Sequence, residues 1–149
     1  MIESPSAGAG VQTLRYTYRI RPGVKAIAAL EEEWHRSRFL WNECVSMLST
    51  SQSLSFASLG KLLTEARRVH TWLRLGSQNA QQMTLRKFSQ SYSQSFSIKG
   101  RGKPVYKSRR KSSPTLEYST NGFSISKSGR LKLPKGTLIP VVWHRKLPS

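Results

Sequence analysis

From Ala66 to its last residue the chain carries one acid, Glu117, against eighteen Lys and Arg. That imbalance constrains folding more than any other feature. A compact structure cannot neutralise such a segment internally, so its cations must stay at the surface, where they repel one another unless a polyanion gathers there. Charged residues are 21% of the 149, and the net charge is +18. The chain is therefore ordinary in charge content and poor in acid: seven Glu and no Asp. Phosphate backbones are the usual counterpart of such a surface. An anionic membrane is the rival. No stretch approaches the roughly 18 apolar residues of a spanning helix, and the basic run has no amphipathic helical face, so no membrane partner is expected.

The charge peaks in GRGKPVYKSRRK, residues 100–111. Arg101, Lys103, Lys107, Arg109, Arg110 and Lys111 surround a small apolar step, Pro104-Val105-Tyr106. A solvated basic linker is the ordinary reading of a Lys/Arg run. Proline argues for more, because it fixes its own φ and restricts Lys103 to extended conformations. Tyr106 would either anchor the strand through its ring or stack on a base, anchoring being favoured.

Around that run the hydrophobic period changes twice. TLRYTYRI, residues 13–20, alternates Leu14, Tyr16, Tyr18 and Ile20 with polar residues, which predicts a strand with one buried and one basic face. Ile27, Leu30, Trp34, Trp41, Val45 and Leu48 then form a single helical stripe over about Val24–Leu48. Arg38 interrupts it. Either it snorkels past the core edge or it is held to reach a ligand, and spacing alone favours snorkelling. Glu31, Glu32 and Glu33 fan out around that helix and read as surface. STSQS, 49–53, is a predicted loop. Ser55 and Ser77 are predicted N-caps of two further helices, striped by Leu59, Leu62, Leu63 and Ala66, and by Leu85, Phe88, Tyr92 and Phe96. Beyond the basic run, Leu116/Tyr118, Phe123/Ile125, Leu131/Leu133 and Ile139/Val141/Trp143 alternate. Asn121-Gly122 and Ser128-Gly129 are hairpin signals between them. The expected fold is α+β: a small antiparallel barrel with a helical bundle inserted.

Catalytic chemistry is hard to place. Two-metal hydrolysis needs converging carboxylates, and six of the glutamates precede Ala66 while Glu117 stands alone. His35, His70 and His144 are scattered, and no GxSxG, GxxxxGK[ST] or GxGxxG motif occurs. Cys44 has no partner for a disulfide or a zinc site and reads as a small buried hydrophobe in a reducing compartment. MIESPSAGAG lacks the basic start and apolar run of a signal peptide. These features lead us to expect a cytoplasmic binding protein with no catalytic residue, no metal site and no cofactor.

Five stretches in order carry a family likeness: YRIRPG (18–23), RFLWNECV (38–45), SQNAQQMTLRKF (77–88), GKPVYKSRRK (102–111) and GRLKLPKGTLIPVVWHRKLP (129–148). Together they resemble the N-terminal part of the TnpB (OrfB) family of transposon-encoded RNA-guided nucleases, relatives of type V CRISPR effectors. The likeness covers nearly everything after the first dozen residues. It implies a flexible tail at 1–11 and an oligonucleotide-binding-like wedge barrel built from 12–22 and 115–149. It further implies a helical recognition lobe at 23–99, described in the family as a helix-turn-helix, and a basic connector at 100–114. The family's RuvC-like nuclease domain and zinc-binding insert would begin beyond Ser149. Gly102, Pro104, Tyr106, Lys107 and Ser108 match a G-x-P-x-(F/Y)-K-S pattern, whereas Arg21-Pro22-Gly23 departs from the family's frequent Tyr-Pro-Thr. The implied partners are a guide RNA and target DNA, with three readings of the chain open: a truncation, a transposon remnant, or half of a split protein whose nuclease half is on a separate chain. By the same analogy Arg38, Asn42, Gln78 and Gln82 would face target-adjacent duplex, where amides read adenine edges. The alternatives are a free-standing DNA-binding regulator and a structural RNA-binding protein of ribosomal type.

Overall fold

The computed structural model describes residues 14–48, 50 and 54–145. The tail at 1–11, Thr13 and most of the 49–53 loop lie outside them. Among the described residues the order is β1 (Arg19–Ile20), α1 (Val24–Leu48), α2 (Phe56–Val69), α3 (Thr71–Arg74), α4 (Gln78–Ser97), β2 (Ser124–Ile125), β3 (Leu131–Leu133), β4 (Thr137–Ile139) and β5 (Val141–Val142). The protein is α+β with small antiparallel sheets.

Both predicted caps are formed. Ser55 Oγ accepts from Ser58 N while Ser58 Oγ accepts from Ser55 N, a reciprocal box at the start of α2. Ser77 Oγ accepts from Ala80 N at the start of α4. The helices enclose the main core: Leu40, Trp41, Cys44 and Val45 from α1, Leu59 and Leu63 from α2, Leu73 from α3, and Leu85 and Phe88 from α4. Helix α1, about 37 Å long at 1.5 Å per residue, also reaches a second, smaller core. There Ala26 packs with Leu133 and Ile139, flanked by Leu30, Tyr118 and Leu131. One helix thus joins the bundle to the sheet.

The sheets are slighter than the alternating pattern suggests. Strands β2, β3 and β4 form one antiparallel sheet, with Ile125 opposite Leu131 and Leu131 opposite Ile139. Ser128-Gly129 makes the predicted turn between β2 and β3, with Gly129 at φ 81°. Strands β1 and β5 pair separately, Arg19 opposite Val142 and Ile20 opposite Val141. The described residues form no closed barrel. Leu116 and Tyr118 lie in irregular chain, so Asn121-Gly122 turns without a ladder before it. The strand expected over 13–20 is reduced to Arg19–Ile20 and a bridge at Leu14, and its intended inner face is not buried. Rings replace ladder bonds there. Tyr18 stacks on His144 at 4.6 Å and tilts against Trp143 at 4.9 Å, and its hydroxyl donates to Arg145 O.

One of the three glutamates expected at the surface is turned inward. The Glu33 side chain is only 11% exposed and accepts from Arg36 Nη1 at 2.8 Å and from Ser77 N at 2.8 Å. Arg36 Nε donates to Trp72 O at 2.9 Å. The link into α4 passes so close that a Cβ on Gly76 would lie 2.3 Å from Glu33 Oε1.

Burial sets a pH dependence. Cys44, fully enclosed, has its thiol pushed from 9.0 to about 12 by desolvation and secondarily by Glu43. Burial, then Glu33, likewise raises the Tyr118 phenol from 10.0 to about 12. The unfolded chain loses these protons first, so it binds fewer of them above about pH 9. Stability should hold below that pH and fall between about 9 and 12, with Cys44 contributing a slope approaching 1.4 kcal/mol per pH unit. Denaturant melts from pH 8 to 11 should show this slope, and Cys44→Ala should reduce it. An equal slope in the variant would refute the assignment to Cys44.

Candidate nucleic-acid interface

The basic connector is mounted on α1. Residues 101–108 run without helix or strand, yet their backbone is held at two points. Trp41 Nε1 donates to Val105 O at 2.8 Å. One residue on, Asn42 Nδ2 donates to Lys107 O at 3.1 Å and Asn42 Oδ1 accepts from Lys107 N at 2.8 Å. A side-chain amide carries one donor and one acceptor side by side, so Asn42 takes the place of a neighbouring strand. Beyond Lys107 the chain turns, with Lys111 N bonded to Ser108 Oγ and Ser112 N to Ser108 O.

Charge is distributed along this mount unevenly. Arg101, Lys103, Arg109, Arg110 and Lys111 are exposed. Arg101 bonds the Gln94 side chain, and Lys103 lies over the Phe96 ring at 6.0 Å. Lys107 differs: it is half-buried, with its ammonium 3.9 Å from the centre of the Trp41 ring. Burial lowers its pKa, and the charge of Lys87 lowers it further. Tyr106, expected to anchor the strand through its ring, is 60% exposed and meets α1 through its hydroxyl, 3.1 Å from Ser46 Oγ. Anchoring falls to Trp41 and Asn42. A signal for Trp41 was available, since a buried indole N–H needs an acceptor.

The four residues expected to face duplex do not share one patch. Gln78 and Gln82, one turn apart on α4, are exposed along a groove of about 960 Å³ between α2 and α4. Lys61, Arg67 and Arg86 also line it, with Glu65 the one acid among its lining residues. Arg67 is tied into the wall, donating to Gln81 Oε1 at 2.6 Å and to Leu73 O at 3.1 Å. At the rim Asn79 repeats the device of Asn42: its Nδ2 donates to Ser119 Oγ at 2.6 Å and its Oδ1 accepts from Ser119 N at 2.9 Å. Asn42 itself is occupied by Lys107 and presents no free amide edge to a base. Arg38 is partly buried, 5.9 Å from the Trp34 ring, and its Nε has no hydrogen-bond partner. It lines a small cavity between α1, α4 and the connector.

Among the described residues no helix is long and apolar enough to cross a membrane. Comparison with models of known protein families and with curated proteins finds no match for this chain.

Proposed function

We propose that this chain binds nucleic acid as the guide-RNA and target-DNA holding portion of a TnpB-like RNA-guided nuclease. One observation carries the reading: the acid-free connector is held against α1 by Trp41 and Asn42, with Lys103 ahead of the clamp and Arg109, Arg110 and Lys111 in the turn after it left exposed. A solvated linker needs no such mount, whereas exposed cations on a backbone held in place suit phosphate contacts. In this proposal β1 and β5, the first and last strands, belong to a wedge-like barrel, and their antiparallel pairing supports it. In the same reading Gln78 and Gln82, exposed in a groove that Lys61, Arg67 and Arg86 also line, would meet target-adjacent duplex. Cleavage would belong to the family's nuclease domain and not to these residues.

The test compares ligands. A structured RNA from a transposon end should bind more tightly than duplex DNA of equal length at matched salt. Equal or stronger binding to one particular duplex, without RNA, would replace this reading with a DNA-binding regulator that uses the α2–α4 groove.

A further inference from the structure

The small cavity beside the connector sets donors and cations among the apolar bodies of Trp34, Trp41 and Met83. Its volume is about 30 Å³, and its walls include Ser37, Arg38, Lys87, Lys107 and Glu117. Ser37 is 7% exposed, and its Oγ has no hydrogen-bond partner. Arg38 Nε, an obligate donor, is buried and unpartnered in the same wall. Three cations stand against one acid, and that acid, Glu117, already accepts Lys87 Nζ at 2.7 Å. Two orphaned polar groups around net positive charge are costly unless something fills them. A trapped water would satisfy the hydrogen bonds and leave the charge. An anion answers both.

From this we infer that the cavity is a phosphate site, seating the non-bridging oxygens of one phosphodiester of the bound RNA. The inference rests on the nucleic-acid reading above. Size selects the ligand: about 30 Å³ takes roughly two water-sized atoms and excludes a base. Lys87 and Glu117, each about half exposed, mark the mouth through which the backbone would pass. Ser37 and Arg38 would meet the oxygens inside. Lys107 is held at the edge by the Asn42 clamp, and its pKa, depressed by burial and by Lys87, would recover when an anion arrives.

The experiment follows the Arg38 Nε–H resonance by nitrogen-15 NMR, identified by its loss in Arg38→Lys. The probes are a seven-nucleotide uridine RNA, and inorganic phosphate against chloride at matched ionic strength. Saturable movement with the RNA is expected. Ser37→Ala should weaken RNA binding about tenfold, as for a lost hydrogen bond to a charged group, with an unchanged salt slope. The same variant should melt no lower than the parent, because it removes an orphaned hydroxyl. Lys87→Gln should lower the slope by roughly 0.7 to 0.9. If the RNA binds while the resonance stays still and Ser37→Ala binds normally, the cavity holds water and the inference falls, leaving the broader reading intact. Movement with inorganic phosphate but no RNA binding would keep the anion site and overturn its backbone source, while the broader reading stands or falls on the structured RNA. No response to either probe overturns the site outright.

Discussion

Replacing Lys103, Arg109, Arg110 and Lys111 together by glutamine should flatten the salt dependence of RNA binding by about 3 in the slope of log K against log salt, each lost contact removing roughly 0.7 to 0.9. Over a fourfold change in salt that difference amounts to about sixtyfold in affinity. Lys107 is left in place, although it belongs to the same run, because it is half-buried over Trp41 and its removal would disturb the mount. The four replaced side chains are exposed, so melting should change little. Asn42→Ala supplies the contrast. It deletes no charge but leaves Lys107 N and O without their partner. Affinity should fall with the salt slope nearly kept, since the cations remain and only their common path is lost. A four-charge variant with the parent's slope would return the run to a solvated linker. An Asn42→Ala protein that binds like the parent would show that the mount is irrelevant to binding.

The second large effect concerns Glu33. Removing one partner of a buried ion pair leaves the other charge uncompensated and costs about 3 to 5 kcal/mol. Glu33 and Arg36 are each 11% exposed in their side chains, which places them in that regime. Glu33→Ala also strips the acceptor from Ser77 N at the start of α4. A loss near the lower bound, about 3 kcal/mol, should lower Tm by about 10 °C in a chain of this size. Arg36→Ala should cost a similar amount. The double variant should fall well short of the sum, because the two changes remove one shared interaction. Strict additivity in thermal or urea melts would show that the pair does not hold the link between α3 and α4.

Local signals were legible in the sequence. Ser55 and Ser77 announce helix starts because a cap is made within three residues, and the stripe from Leu30 to Leu48 is set by burial along one helix, whereas Ile27 at its head is 45% exposed. The β segments were legible only in part. Alternation at Tyr16 and Tyr18 reads as a ladder, yet what covers Tyr18 is the rings of Trp143 and His144, and stacking of that kind leaves no period. The candidate site was least visible. Asn42 and Lys107 are 65 residues apart and meet through a side-chain amide and a backbone, so only one of the two residues needs a particular identity. Glu33 stood in a run of three glutamates, and nothing in that run says which one turns inward. Arg38 was legible as an anomaly, a cation in an apolar stripe. Its unpartnered Nε could be seen only with the surrounding walls in place.

Asn42 and Asn79 grip main-chain atoms of the segments they hold, Lys107 in one case and Ser119 in the other. At the connector this separates location from cargo. Apart from the Tyr106 hydroxyl on Ser46, the hydrogen bonds between α1 and the stretch from Val105 to Lys107 use peptide groups that every residue but proline presents alike. The surrounding positions are therefore interchangeable fittings on a fixed rail. Their number of cations could be raised or lowered to suit ligands of different charge density, or a photo-crosslinking residue installed at Lys103 or Arg110, without remaking the attachment beneath.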